Sequence, residues 1–321
     1  MKLLTAVLTL ILALVSAPAL AQFRHADPAL GGAQQSVERW KIGLVVTAKS
    51  GAFRRLVGTT AVPMDWPEQQ VRPVAEDFST GVRVTYQMVD EGVRQMTATI
   101  PSLGAGQEAR AVVTFEIVRK VQVAPADTSK FRFANPSRLE RKMTQYLAPS
   151  PYIESNDPQI QALAKQVGME HEEPWKRVEG IYDWVREKVR YQDMPLKGAL
   201  AGLHDGTGDC DELSSLFIAI CRAGGIPART VRVPGHCYAE FYMLDALGEG
   251  RWFPCQPAGT KAFGGMPDLR PILQKGDNVL ATAPGTRRKE HFRFLPQNLT
   301  GLPVGGAGQP EVRFVCEPVK E

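Results

Sequence analysis

The chain has 321 residues, with 38 Lys and Arg against 34 Asp and Glu and a formal net charge of +4. That near balance, with no basic stripe interleaved with aromatics, argues against a nucleic-acid-binding protein. Hydrophobic residues make up 44% and there are only five cysteines in this length, so the composition describes one large or two ordinary globular domains rather than a disulfide-dense miniprotein.

Lys2, the apolar run 3–15 and the small-residue site Ala19-Leu20-Ala21 read as a secretory signal peptide over residues 1–21, cleaved before Gln22. The run is shorter than the roughly 20 apolar residues of a membrane span. A secreted or periplasmic chain with no stable span after cleavage is therefore expected. Its cysteines are Cys210, Cys221, Cys237, Cys255 and Cys316, and an odd count leaves at least one thiol unpaired within the chain.

Residues 22–135 read as a β-sandwich-like N-terminal domain. Residues 42–46, 82–88, 96–100 and 111–123 are apolar, alternating or β-branched, and Gly and Pro clusters separate them. Nothing chemical stands out in this half.

The pattern changes near Asn135-Pro136, and residues 136–290 read as a second, α+β domain of helices followed by an antiparallel sheet. Asp157-Pro158 is an N-cap with Pro at the first helical position, and Gly168 ends that helix. A second helix is expected from Pro174 to about Val189, with Trp175, Val178, Ile181, Tyr182 and Val185 on one stripe and Trp184 off it. A third begins at or just before Cys210 and stops at Gly224-Gly225. Strands are expected over 229–233, 236–244 and 251–256, a loop over 257–284, and C-terminal strands within 291–321.

Cys210 opens its helix in Gly208-Asp209-Cys210-Asp211-Glu212, and His236 follows in Gly235-His236-Cys237-Tyr238-Ala239-Glu240. A helix N-terminus stabilises a thiolate through its dipole and free N–H groups. A nearby imidazole takes the thiol proton and returns it to a leaving amine. Strand alternation puts His236, Tyr238 and Glu240 on one face and Cys237, Ala239 and Phe241 on the other. If the next strand pairs so that Gln256 lies near His236, the Gln256 amide oxygen is placed to accept the His236 Nδ1–H and fix the ring. Cys237 and Cys255 then lie behind the site, as candidates for a cross-strand disulfide. Asp209 and Asp211 either raise the thiol pKa by like charge or cap the helix. Glu240 is a structural ion-pair candidate for Arg229 or Arg232. No Cys-x-x-Cys or His-x-x-x-His spacing points to zinc, and no cofactor is expected.

Gly-Asp-Cys210, the run Arg222-Ala223-Gly224-Gly225-Ile226-Pro227-Ala228-Arg229, Gly235-His236 and Glu240 resemble the core of the transglutaminase-like superfamily over roughly residues 145–260. The resemblance implies a papain-like fold, with the nucleophile on a helix and the His and third residue on adjacent strands. It implies catalytic Cys210, His236 and Gln256, a thioester intermediate, and a protein or peptide substrate presenting a Gln side chain or a peptide amide. Trp184 and Tyr191 are candidates for a second oxyanion donor beside the Cys210 N–H. The chain departs from the family in Tyr238, where Trp is usual, and in Gln256, where Asp is usual. The second departure sets two readings against each other: a thiol acyl transferase or amide hydrolase, and a catalytically degraded binding or assembly module.

Overall fold

A computed structural model describes residues 35–320 except 287 and 307. The expected leader lies outside the described residues. Six long strands come first: β1 (Gln35–Thr47), β2 (Phe53–Val62), β3 (Gln69–Phe78), β4 (Arg83–Asp90), β5 (Val93–Leu103) and β6 (Glu108–Lys120). Then come α1 (Arg141–Thr144), α2 (Pro158–Ala164), α3 (Pro174–Lys188), β7 (Arg190–Tyr191), α4 (Ala199–Asp205), β8 (Thr207–Gly208) and α5 (Cys210–Ala223). The chain continues through β9 (Ala228–Val233), β10 (His236–Leu244), β11 (Gly250–Gln256), β12 (Ala262–Phe263), β13 (Gln274–Lys275), β14 (Val279–Thr282), β15 (Lys289–Phe292), β16 (Asn298–Pro303) and β17 (Glu311–Pro318).

Two four-stranded antiparallel sheets make the sandwich, in the orders β17-β1-β6-β3 and β16-β2-β5-β4. Alternation is the cause. Ile42, Leu44 and Val46 on β1, Phe53 and Leu56 on β2, Met96, Ala98 and Ile100 on β5, and Val113, Phe115 and Ile117 on β6 meet in one buried core. The strands expected at the C-terminus fall in two places. β15 pairs with β14, whereas β16 and β17 return to edge β2 and β1, with Ile42 opposite Cys316.

The second core lies between the helices and the sheet β12-β11-β10-β9-β13. Asp157 caps α2 by accepting from the Gln159 N–H at 2.8 Å. Trp175 of α3 packs edge-on against Phe241, Phe253 and Phe263, with ring centroids 5.0–5.4 Å apart. These contacts fix α3 and α5 on the face of β10 defined by Ala239 and Phe241. The segment 257–284, expected as loop, contributes β12, β13 and β14. β12 and β13 are too short to show a sequence period, each being held by two cross-strand pairs, whereas β14 makes four with β15.

β13 also ties the two cores together. Lys275 Nζ lies 2.6 Å from both Glu68 Oε1, in the turn before β3, and Glu240 Oε1 on β10, while Arg229 meets Glu240 Oε2 at 2.7 Å. Glu240 is completely buried, and burial alone would raise its pKa, yet Lys275 and Arg229 hold it down to about 2. The expected partner Arg229 is thus found, with Lys275 added from β13. Among the described residues, no helix is long and apolar enough to cross a membrane.

Candidate active site

Cys210 is the first residue of α5, so its N–H has no acceptor within the helix. Asp209 caps the helix by accepting from the Asp211 N–H at 2.7 Å, and Glu212 reaches back to the Asp209 N–H at 3.1 Å, a reciprocal capping box. Gly208 is required by this approach, because a Cβ there would lie 2.4 Å from the Glu212 Cβ. Of the two roles open to Asp209, capping is the one observed. Burial raises its carboxyl to about 7.

His236 is the first residue of β10, after the turn Pro234-Gly235, where Gly235 takes φ +67°. β10 and β11 pair with Ala239 opposite Cys255, which carries the register to Tyr238 opposite Gln256 and leaves His236 diagonal to Gln256. His236 Nε2 lies 3.2 Å from Gln256 Oε1. The Gln256 Nε2 group donates to the Thr260 carbonyl at 2.9 Å, so Oε1 is the atom turned to the ring and His236 Nε2 carries the shared proton. The nitrogen paired with Gln256 is therefore Nε2 and not the expected Nδ1. The Gln256 backbone is clamped from α3, its carbonyl accepting from Tyr182 OH at 3.1 Å and from Arg186 Nη1 at 3.0 Å.

Cys237 also departs from its expected place. It does not lie behind the site. Helix α5 packs on the Ala239 and Phe241 face, which is also the Cys237 face, and His236 reaches the sulfur from the strand end. Cys237 Sγ lies 3.4 Å from the Cys210 carbonyl and 3.2 Å from Asp211 Oδ1. Cys237 and Cys255 are both free thiols, as are Cys210, Cys221 and Cys316.

The Cys210 thiol is pulled down from 9.0 to about 5. The Cys237 thiol beside it is the largest cause. Burial works the other way, and the hydrogen bond and charge of His236 lower it further, against the Asp211 carboxylate. The single Cys237 proton is shared among the Cys210 sulfur, the Cys210 carbonyl and Asp211, so its pull depends on which acceptor holds it.

Arg293, just after β15, is the member that local sequence reading missed. Its side chain is 2% exposed, its Nε lies 3.1 Å from Asp211 Oδ1, and its Nη2 lies 3.2 Å from the Asp211 carbonyl and 3.8 Å from Cys237 Sγ. Its Nη1 donates to Ser215 Oγ on α5. No motif signals this residue; only the returning chain brings it to Asp211 and Cys237 beside Cys210. The Asp268 carboxylate, held by Arg270, also lies within electrostatic reach of His236.

The donor atoms of Cys210, Asp211 and Cys237 lie within 4.8 Å of one another, as metal ligands would. The guanidinium of Arg293 sits against two of them, and that fixed positive charge opposes a second cation. The cluster is better matched to holding a thiolate.

Removing the Gln256 amide as Gln256→Ala leaves the His236 Nε2–H without its acceptor. Turnover is expected to fall about tenfold, the equivalent of one net hydrogen bond, with the fold retained by circular dichroism. Unchanged turnover would remove Gln256 from the site.

A thiol at a helix start, an imidazole at a strand start and an amide on the next strand are the arrangement of a papain-like cysteine site. Residues 161–257, the stretch that holds Cys210, His236 and Gln256, match the family model of the transglutaminase-like superfamily. No curated protein matches the chain. Among solved structures, a candidate cysteine protease from Cytophaga hutchinsonii is similar in fold, with 17% identity and a TM-score of 0.54 over 90% of this chain and 93% of that one. The periplasmic domain of TgpA from Pseudomonas aeruginosa, bound to ethylmercury, aligns at 14% identity with a TM-score of 0.33, over 69% of this chain and 90% of that one.

Proposed function

We propose that the chain is an exported thiol acyl transferase or amide hydrolase acting on protein or peptide substrates through Cys210, His236 and Gln256. The observation that carries this reading is the placement of Cys210 at the N-terminus of α5 beside the ring of His236, itself anchored 3.2 Å from Gln256 Oε1; the ring helps to lower the thiol pKa. The Cys210 thiolate adds to the carbonyl carbon of a carboxamide or peptide bond, and the oxyanion meets the Cys210 N–H, which has no acceptor within the helix. As the C–N bond breaks, the imidazolium gives its proton to the departing nitrogen, leaving a thioester and a free amine or ammonia. Water, deprotonated by the imidazole, then releases the acid; a lysine amine in its place forms a new amide. Water prevails unless the site excludes it or positions an amine.

Gln256 in place of a carboxylate orients the imidazolium without neutralising it. That is the observation behind the second reading, a degraded binding module.

Intact-mass spectrometry after incubation with a Gln-containing peptide and a primary amine decides between them. The expected result is a thioester adduct on the chain, together with deamidated, cleaved or amine-linked peptide, and none of these with Cys210→Ala. Absence of adduct and product across a broad amide and peptide panel, from a folded chain, would favour the binding module.

A further inference from the structure

A groove of about 260 Å³ runs between the sandwich and the β9–β10 turn. The turn contributes Arg232, Val233, Pro234 and Gly235 to its wall, and Gly235 is the residue before His236. The sandwich side brings Thr60 from β2 and Cys316 from β17. Gln297, also in the wall, donates to Thr60 Oγ1 at 3.1 Å.

Arg232 is the charged group of this wall. It is half-buried, and its guanidinium lies over the Phe294 ring at 5.0 Å. Arg293 lies over the same ring at 5.2 Å. The two cations differ in what answers them. Arg293 has Asp211, whereas among the described residues Arg232 has no carboxylate and no hydrogen-bond acceptor for its side chain. Asp211, a carboxylate within electrostatic reach of Arg232, is already held by Arg293. A partly desolvated guanidinium without an acceptor is a costly arrangement, and a planar carboxylate is the group that matches its paired donors. Arg232 also stands directly across the β9–β10 ladder from Cys237, whose sulfur touches the Cys210 carbonyl. Side chains so paired lie roughly 5 Å apart at Cβ, which puts the cation close to the candidate nucleophile.

We propose that this groove is a carboxylate-binding subsite, with Arg232 as its receptor, serving a peptide substrate that bears an acidic group near the amide presented to Cys210. The binding site itself stands independently of the acyl-transfer reading; its assignment to a substrate rests on that reading. The volume suits one residue-sized fragment rather than a large cofactor.

The test uses Cys316, which lines the same groove, as a reporter in a Cys210→Ala background. Iodoacetate and iodoacetamide carry the same leaving group and differ in one negative charge. The ratio of their rates at Cys316, mapped by peptide mass and referred to the denatured chain, cancels the thiolate fraction. The expected result is a preference for iodoacetate of roughly tenfold, a rate that saturates with iodoacetate, and protection by a carboxylate competitor. N-acetylglycine presents a terminal carboxylate and N-acetylglutamic acid α-amide a side-chain carboxylate, so the better competitor tells which kind is bound; N-acetylglycinamide should protect against neither reagent. Arg232→Gln should abolish the preference and Arg232→Lys retain part of it.

A ratio equal to that of the denatured chain, a preference that survives Arg232→Gln, or no labelling of Cys316 by either reagent would overturn the subsite. Competition on the chain with native Arg232 keeps the test valid if the Gln variant does not fold. A saturable, Arg232-dependent preference in a protein that forms no thioester would leave the subsite standing while the acyl-transfer reading falls.

Discussion

Asp277→Ala is expected to lower the stability of the folded chain by about 3–5 kcal/mol, the usual cost of leaving a buried charge without its partner. The Arg222 and Asp277 side chains are 1% and 2% exposed, and Arg222 Nη2 meets both carboxylate oxygens at 2.8 and 2.9 Å. Asp277 also accepts from Ser150 Oγ at 2.6 Å and from the Thr230 N–H at 2.9 Å, while Arg222 serves the Ala148 and Ala228 carbonyls. One ion pair thus joins the end of α5, the start of β9, the approach to α2 and the segment after β13. Denaturant unfolding measures the loss. The double variant Arg222→Met with Asp277→Leu should recover a good part of it, since the stranded charge is gone. A single-variant loss below about 1 kcal/mol, the scale of an exposed pair, would contradict the assignment. Burial raises the Asp277 pKa, but Arg222 and Ser150 outweigh it and hold it below the ordinary value. The sign follows: its stabilisation is complete above the unfolded carboxylate pKa and is lost as the pH falls through the lower, folded value.

Arg293→Gln should make Cys210 a weaker acid. With the guanidinium present, alkylation of Cys210 by iodoacetamide is expected to be level at neutral pH and to fall as the pH drops through about 5. Without it, the Asp211 carboxylate faces the sulfur unneutralised, and like charge favours the protonated thiol. The midpoint should rise by roughly one to two pH units. Asp211→Asn in the same chain should bring it back, because the uncompensated charge is then absent. A midpoint unmoved by Arg293→Gln would mean that Arg293 only fills space. Gln keeps a donor for Ser215, which helps the variant fold, and the Asp211→Asn chain alone offers a second reading of the same coupling.

Much of the site was legible because its signals are local. Asp209 as a cap, followed by Leu213, Leu216, Phe217 and Ile220 at helical spacing, marks a helix start at Cys210; the reciprocal bond from Glu212 was found only in the structure. Strand parity groups His236 with Gln256 once β10 and β11 pair. What parity does not say is which face the helix covers. That is decided by Trp175, Phe241, Phe253 and Phe263 closing into one aromatic cluster, and it makes Cys237 a neighbour of Cys210. Arg293 was illegible for a different reason. A buried cation is recognisable only beside its carboxylate, and Asp211 is far from it in sequence. The pairing of β16 and β17 with the sandwich was hidden likewise, since an edge strand carries no mark of its distant partner.

That pairing has a consequence for how the chain is made. β1 and β2 leave the ribosome more than two hundred residues ahead of β16 and β17, the strands that cover their outer edges. Until then each sheet exposes a row of unpaired backbone groups, the kind of edge that invites intermolecular association. Closing such distant contacts is slow. The nascent chain therefore passes through a long interval in which the thiol domain has been synthesised while the sandwich is still open, the interval in which a chaperone would act.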